Sequence, residues 1–277
     1  MPVPWSDKPT YIAECQNRAI TIQQIRDLSV FLQRLSAVGL LRSSDGRRLH
    51  WFELNMYDIR DIVKHVIEFH DDQRGNGSKS RRSWVATGPQ APHLIFSHSW
   101  IGRFRDFMTV VDRVANVNGL SAAVPIWICT FANNQFGEDF GSGVRESPFY
   151  KAVNASSGTV LVVDRDSSSL TRIWCGLEIH LTAQMGKPLS VYTSAGKVGE
   201  EVTSGRLIDA VEDFNVMQME ASEDADRRQI LNYLSDGETH ERDGLMTDAT
   251  GELTLVDGWR KRLRDETLVD DDRFPVR

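Results

Sequence analysis

Three stretches decide the fold class: HLIFSHSW at 93–100, PIWICTFANNQFGED at 125–139 and TVLVVDRDSSSLTRIWCGLEIH at 159–180. Each opens as a short apolar run and passes directly into a polar turn rich in Ser, Asn or Asp. The third run is nearly all β-branched or Leu, as a strand buried on both faces of a parallel sheet must be. Strands are expected at 93–97, 125–131, 159–164 and 188–193. Phe104, Phe107, Met108, Val111 and Val114 recur at helical spacing and predict a helix near 103–117. A short helix is expected over 147–155. Ser167–Ser169 offer N-caps for a helix ending near Gly186. Strand and helix thus alternate, which implies a three-layer α/β fold around a parallel sheet with right-handed crossovers.

Outward from this core, 1–70 reads as an N-terminal helical extension. Thr21 and Gln24 have capping-box spacing, and Ile22, Ile25, Leu28, Leu32, Leu35 and Val38 follow as one apolar face. Gly39 and the polar run at 43–46 end that helix; a second is expected over 53–69. Residues 71–92, rich in Gly, Ser, Pro and charge, read as a solvated linker carrying Arg74, Lys79, Arg81 and Arg82. The α/β domain would occupy 93–200. Residues 201–277 are acidic, with helices expected at 205–218, 222–235 and 257–266, and a strand or helix start at 202–207.

The chain has 277 residues, 40% of them apolar and 26% charged, with a net charge of −7. Such a composition can bury a core, and its acidity argues against nucleic acid or an anionic membrane as the main partner. No apolar run is long enough to span a bilayer. The first fifteen residues lack a basic stretch followed by an apolar core, so a cytoplasmic location is expected. Three widely spaced cysteines, Cys15, Cys129 and Cys175, fit reduced thiols. No Cys-x-x-Cys or His-x-x-x-His pair is present, so no metal site is expected.

In open α/β sheets ligands gather beyond the carboxyl ends of the strands. Ser97, His98, Trp100, Asn133, Asn134, Gln135 and Asp164 fall there, and Trp174, Cys175 and Glu178 lie on the helix that follows. Arg103 and Arg105 open the helix after the first strand, where cations beside a helix N-terminus suit a diphosphate. Asn133, Asn134 and Gln135 suit an amide or a base edge, and equally suit Asx-type turns within their own loop. Asp164 and Asp166 flank Arg165, an arrangement that fits a local ion pair or cap as well as a ligand contact. Cys175 reads as a packed thiol or, paired with His98 across the turn, a nucleophile.

These blocks carry a resemblance. LIFSHSW resembles the first strand and turn of Toll/interleukin receptor (TIR) domains, PIWICTFANNQFGED their second strand and long loop, and VDRDSSSLTRIWCGLEIH their third strand with the helix bearing Trp-Cys-x-x-Glu. In this chain that block is Trp174, Cys175, Gly176, Leu177, Glu178. The match covers about a third of the chain. One departure is the first turn, where the family often carries an acidic residue and this chain has Trp100-Ile101-Gly102-Arg103. The blocks Ser97-His98, Ala132-Asn133-Asn134-Gln135 and Ile173-Trp174-Cys175 also resemble a group of protist proteins that share them.

The resemblance implies a flavodoxin-like three-layer sheet with helical extensions at both ends. It also implies either an NAD+ glycohydrolase or a non-catalytic signalling scaffold. In the enzymes a single glutamate cleaves the nicotinamide–ribose bond, by position Glu178, with NAD+ as substrate rather than cofactor. Ser97, His98, Trp100, Arg103, Asn133, Asn134, Gln135, Asp164, Trp174 and Cys175 would then bind substrate. The scaffold alternative implies self-association through the 131–143 loop. A third reading is an enzyme resembling nucleoside deoxyribosyltransferases, which shares the sheet layout and a strand-end carboxylate.

Overall fold

The computed structural model describes residues 9–43, 45–72, 82–136, 143–200, 216–236, 245–247 and 253–255. Its centre is a six-stranded sheet built from β2 (Ile20–Thr21), β4 (Leu94–His98), β5 (Pro125–Trp127), β6 (Gly158–Val162), β7 (Leu189–Thr193) and β8 (Gly196–Lys197). The spatial order is β2-β5-β4-β6-β7-β8. The four inner strands run parallel, while β2 and β8 close the two edges antiparallel. β1 (Thr10–Tyr11) pairs with β3 (Arg82–Ser83), and β9 (Leu245–Thr247) with β10 (Leu253–Leu255), in separate two-stranded sheets.

Helices cover both faces of the central sheet. The first layer holds α1 (Ile22–Ala37), α2 (Met56–Asp72) and α3 (Phe104–Val117), packed on Phe96, Ile126, Val160 and Tyr192. The second holds α5 (Pro148–Ala155), α6 (Ile173–Gln184) and α7 (Asp224–Asp236), packed with Ile95 and Trp127. The one-turn helix α4 (Cys129–Ala132) continues from β5 where a strand to 131 was expected. The period of two along β4 explains the division: Phe96 and His98 meet Phe107 of α3, whereas Ile95 joins the opposite cluster.

The local chemistry of α1 is as expected. Thr21 Oγ1 accepts from Gln24 N, Gln24 returns a bond to Thr21 N, and Gly39 ends the helix at φ +74°. The N-terminal segment does more than extend the domain, since its β2 is a sheet edge and its α1 and α2 form part of a core layer.

Two expectations need correction. Trp84, Val85 and Ala86 are buried rather than parts of a solvated linker, because β3 pins this segment to β1. Arg82 reaches Pro9 O at 3.5 Å, while Arg74, Lys79 and Arg81 lie outside the described residues. The α6 helix does not start on the serines. Asp164 Oδ1 and Oδ2 accept the backbone N–H groups of Asp166, Ser168 and Ser169 and the Ser168 hydroxyl, winding 168–171 into a 3-10 turn with Ser167 left-handed at φ +56°. The first N–H of α6, from Ile173, is satisfied by Glu220 O at 2.9 Å. The helix expected over 222–235 is described, as α7; of the helix expected over 205–218 only Val216–Gln218 is described, as a 3-10 turn, and 201–215 and 256–277 lie outside the described residues. No described helix is long and apolar enough to cross a membrane.

Candidate functional site

Beyond the carboxyl ends of β4 and β5 lies a cavity of about 250 Å3. It is lined by His98 and Trp100 from the β4 turn, Cys129 and Asn133 from α4 and its end, Phe149 from α5, and Arg172, Trp174, Cys175 and Glu178 from the start of α6. Arg60 of α2 closes one side, and Ser222, Glu223 and Asp226 at the start of α7 close another.

Glu178 is the buried carboxyl of this cavity, 3% exposed. It lies one turn after Trp174 on α6, and both side chains line the cavity. Burial pushes its carboxyl up to about 7, partly offset by the neighbouring Ser97 hydroxyl. Ser97 Oγ is itself buried with no well-formed hydrogen bond. A carboxyl with this value exists in both protonation states near neutral pH, the condition for proton exchange or for supplying a negative charge in a dry site. Trp174 stacks on Phe149 with ring centroids 4.3 Å apart, giving the cavity an aromatic wall.

His98 is locked in one tautomer. Its Nδ1 lies 3.0 Å from Phe96 O, which can only accept, so Nδ1 donates and Nε2 accepts from Thr130 Oγ1 at 3.1 Å. Burial holds its pKa down at about 4, so the ring is neutral at physiological pH. Trp100 Nε1 donates to Cys129 Sγ at 3.0 Å. The thiol within reach of His98 is Cys129, at 3.8 Å, rather than Cys175. Burial, then the nearby Glu178 charge, pushes the Cys129 thiol up to about 12, and the same two causes raise that of Cys175. Burial thus favours the protonated form of both sulfurs over the thiolate.

Of the residues expected at the site, His98, Trp100, Asn133, Trp174, Cys175 and Glu178 share the cavity, and Ser97 sits beside Glu178. Asn133 Oδ1 is buried without a hydrogen-bond partner. Arg103 and Asp164 line, with His98, a separate crevice of about 20 Å3, room for about one water. Arg105 pairs with Asp106 at 3.4 Å and lies over the Phe52 ring. Asn134 and Gln135 serve their own loop: Asn134 Oδ1 accepts from Phe136 N, and Gln135 Nε2 donates to Thr130 O. Phe131 to Asn134 are buried, and 137–142 lie outside the described residues. No group of three or more His, Cys, Asp or Glu side chains suited to a metal ion occurs among the described residues.

Arg60, Cys129, Phe149, Arg172, Ser222, Glu223 and Asp226 were not expected at the site. Arg60 and the α7 residues come from segments outside the core pattern and arrive only by tertiary packing. Phe149 had one legible signal, an aromatic on a short helix following the long loop. Comparison with models of known families, with curated proteins and with solved structures finds no match to the chain.

Proposed function

We propose that this protein cleaves the N-glycosidic bond between ribose and a cationic base, with NAD+ as substrate, nicotinamide as leaving group and Glu178 as the catalytic carboxylate. The observation that carries this reading is the setting of Glu178, a desolvated carboxyl on a cavity that also has an aromatic wall. Breaking the bond develops oxocarbenium-like charge on the ribose, as in glycoside hydrolysis. A fixed carboxylate in a water-poor site stabilises that charge strongly. Nicotinamide leaves as a neutral molecule, so no general acid is needed to protonate it. The attacking water gives up a proton, and in this reading the Glu178 carboxylate accepts it.

A pyridinium ring is flat and positively charged. Trp174 and Phe149 offer it ring surface, and Glu178, Glu223 and Asp226 supply negative charge around the same cavity. A cavity of about 250 Å3 falls below the ~300 Å3 lower end of typical ligand pockets. It suits the reactive nucleoside half of a dinucleotide, with the remainder lying outside. We read the fold as flavodoxin-like and residues 93–200 as a TIR-like domain. Counted from β4, the parallel strands lie in the order 2-1-3-4, which this reading requires.

The test is nicotinamide release from NAD+ by purified protein, with NADH alongside. The reduced ring is uncharged and a poor leaving group, so release from NAD+ alone is expected. No release from NAD+ at any protein concentration contradicts the proposal.

A further inference from the structure

The cavity has a charge polarity that cleavage alone does not demand. Arg60 stands on its α2 side, in one helical layer, and Glu223 and Asp226 stand at the start of α7, in the opposite layer. A cationic base is attracted to the acidic side. The opposite side offers a fixed cation.

Arg60 is held for such a role. Its guanidinium carbon lies 5.2 Å from the Tyr57 ring centre and 5.3 Å from that of Trp100, and these two rings meet edge to face at 5.4 Å. Its Nε and Nη2 donate to Asp61 Oδ1 at 2.8 and 2.6 Å. Those bonds orient the guanidinium as an ion pair with Asp61, and the two N–H groups of Nη1 have no acceptor among the described residues. The start of α2 is tied to the β4 turn by Met56 N to Gly102 O and Tyr57 N to Trp100 O, both 3.1 Å. The cation therefore has a set position relative to Trp100 and the cavity. Arg172, by contrast, donates to Ser222 Oγ at 3.1 Å and stands beside the acidic side. A preorganised guanidinium with open donors is well matched to phosphoryl oxygens.

We propose that Arg60 recognises the 5′-phosphoryl group of an N-ribosyl nucleotide, directing the phosphate toward α2 and the base toward α7. This rests on reading the cavity as an N-glycosyl site. It makes the substrate class a nucleotide rather than a free nucleoside, and it moves phosphate recognition from Arg103 and Arg105 to a helix of the N-terminal segment.

The experiment is calorimetric titration of Glu178→Gln protein, which does not consume its ligand, with nicotinamide mononucleotide and with nicotinamide riboside. The mononucleotide is expected to bind at least about tenfold tighter, the range of one charged hydrogen-bonded contact. Adding Arg60→Gln removes that preference by weakening the mononucleotide at least about tenfold more than the riboside; Arg60→Lys restores part of it. Circular dichroism and thermal melting establish that the variants fold. Equal binding of the two ligands, a preference that survives Arg60→Gln, or binding of neither overturns the inference. Phosphate selectivity lost in Arg60→Gln, in a protein that releases no nicotinamide, upholds Arg60 and refutes the cleavage reading. Cleavage without phosphate selectivity does the reverse.

Discussion

The indole of Trp174 lies stacked on the ring of Phe149, centroids 4.3 Å apart and planes 24° apart, and both rings line the cavity that contains Glu178. One ring comes from the start of α6 and the other from α5, so the packing of two helices creates the aromatic wall. Trp174→Ala removes the pair, worth about 0.5–1.5 kcal/mol beyond its buried area. We expect KM for NAD+ to rise roughly tenfold with a smaller fall in kcat, and Trp174→Phe to recover most of the loss. Steady-state kinetics on the three proteins checks this.

Glu178 also links function and stability to pH. Its folded value of about 7 exceeds its ordinary 4.5, so between those values the folded chain holds a proton that the unfolded chain has lost. Its contribution is full below pH 4.5 and disappears as pH rises through 7, a cost of about 3 kcal/mol. His98 acts oppositely: its folded value near 4 lies below 6.5, so its contribution is present above pH 6.5 and lost as pH falls toward 4. Glu178→Gln should therefore be more stable than wild type at pH 8, with the advantage fading by pH 5. Urea unfolding at both pH values measures it, and an equal difference at the two contradicts the assignment.

Gly176 faces Met219, the residue before the Glu220 bridge that caps α6. A Cβ at 176 would lie 2.7 Å from Met219 Sδ and 3.2 Å from its Cε. Met219 is buried, so its flexible end must shift within the core to admit the methyl. Gly176→Ala is expected to destabilise the protein by about 1–3 kcal/mol despite the better helix propensity of Ala, whereas Gly176→Ala combined with Met219→Ala should regain part of that. Thermal melts of the single and double variants decide the matter.

None of the three cysteines is in a disulfide, and all are buried. Native protein should therefore react slowly with a thiol reagent such as dithiobis(nitrobenzoate), and all three should titrate promptly in guanidinium. Rapid native labelling of Cys175 would revive it as a nucleophile.

What was legible in the sequence follows from how local each signal is. The capping box at Thr21 and Gln24, the alternation along Leu94–His98 and the apolar run at 158–162 each express a preference within a few residues, and the structure realises them. Glu178 was singled out by the resemblance, through the Trp174-Cys175-Gly176-Leu177-Glu178 block, and the structure places it on the cavity wall with Trp174. Arg60 was not. On sequence it is one charge on an amphipathic helix, and only the tie from Tyr57 to Trp100 carries it to the cavity. Glu223 and Asp226 were obscured for the same reason, since the chain returns to α6 through the Glu220 bridge to Arg172. The Ser167–Ser169 turn misled because Asp164 collects the local donors first. Trp84 to Ala86 misled because polar neighbours masked three residues that fill the core.

The most direct test of the central claim is nicotinamide release from NAD+ by wild type and Glu178→Gln at matched concentrations, with circular dichroism of both. The account predicts release by wild type, loss of at least about a hundredfold in Glu178→Gln as for other fixed catalytic charges, and unchanged spectra. A folded Glu178→Gln protein that retains wild-type release would contradict it.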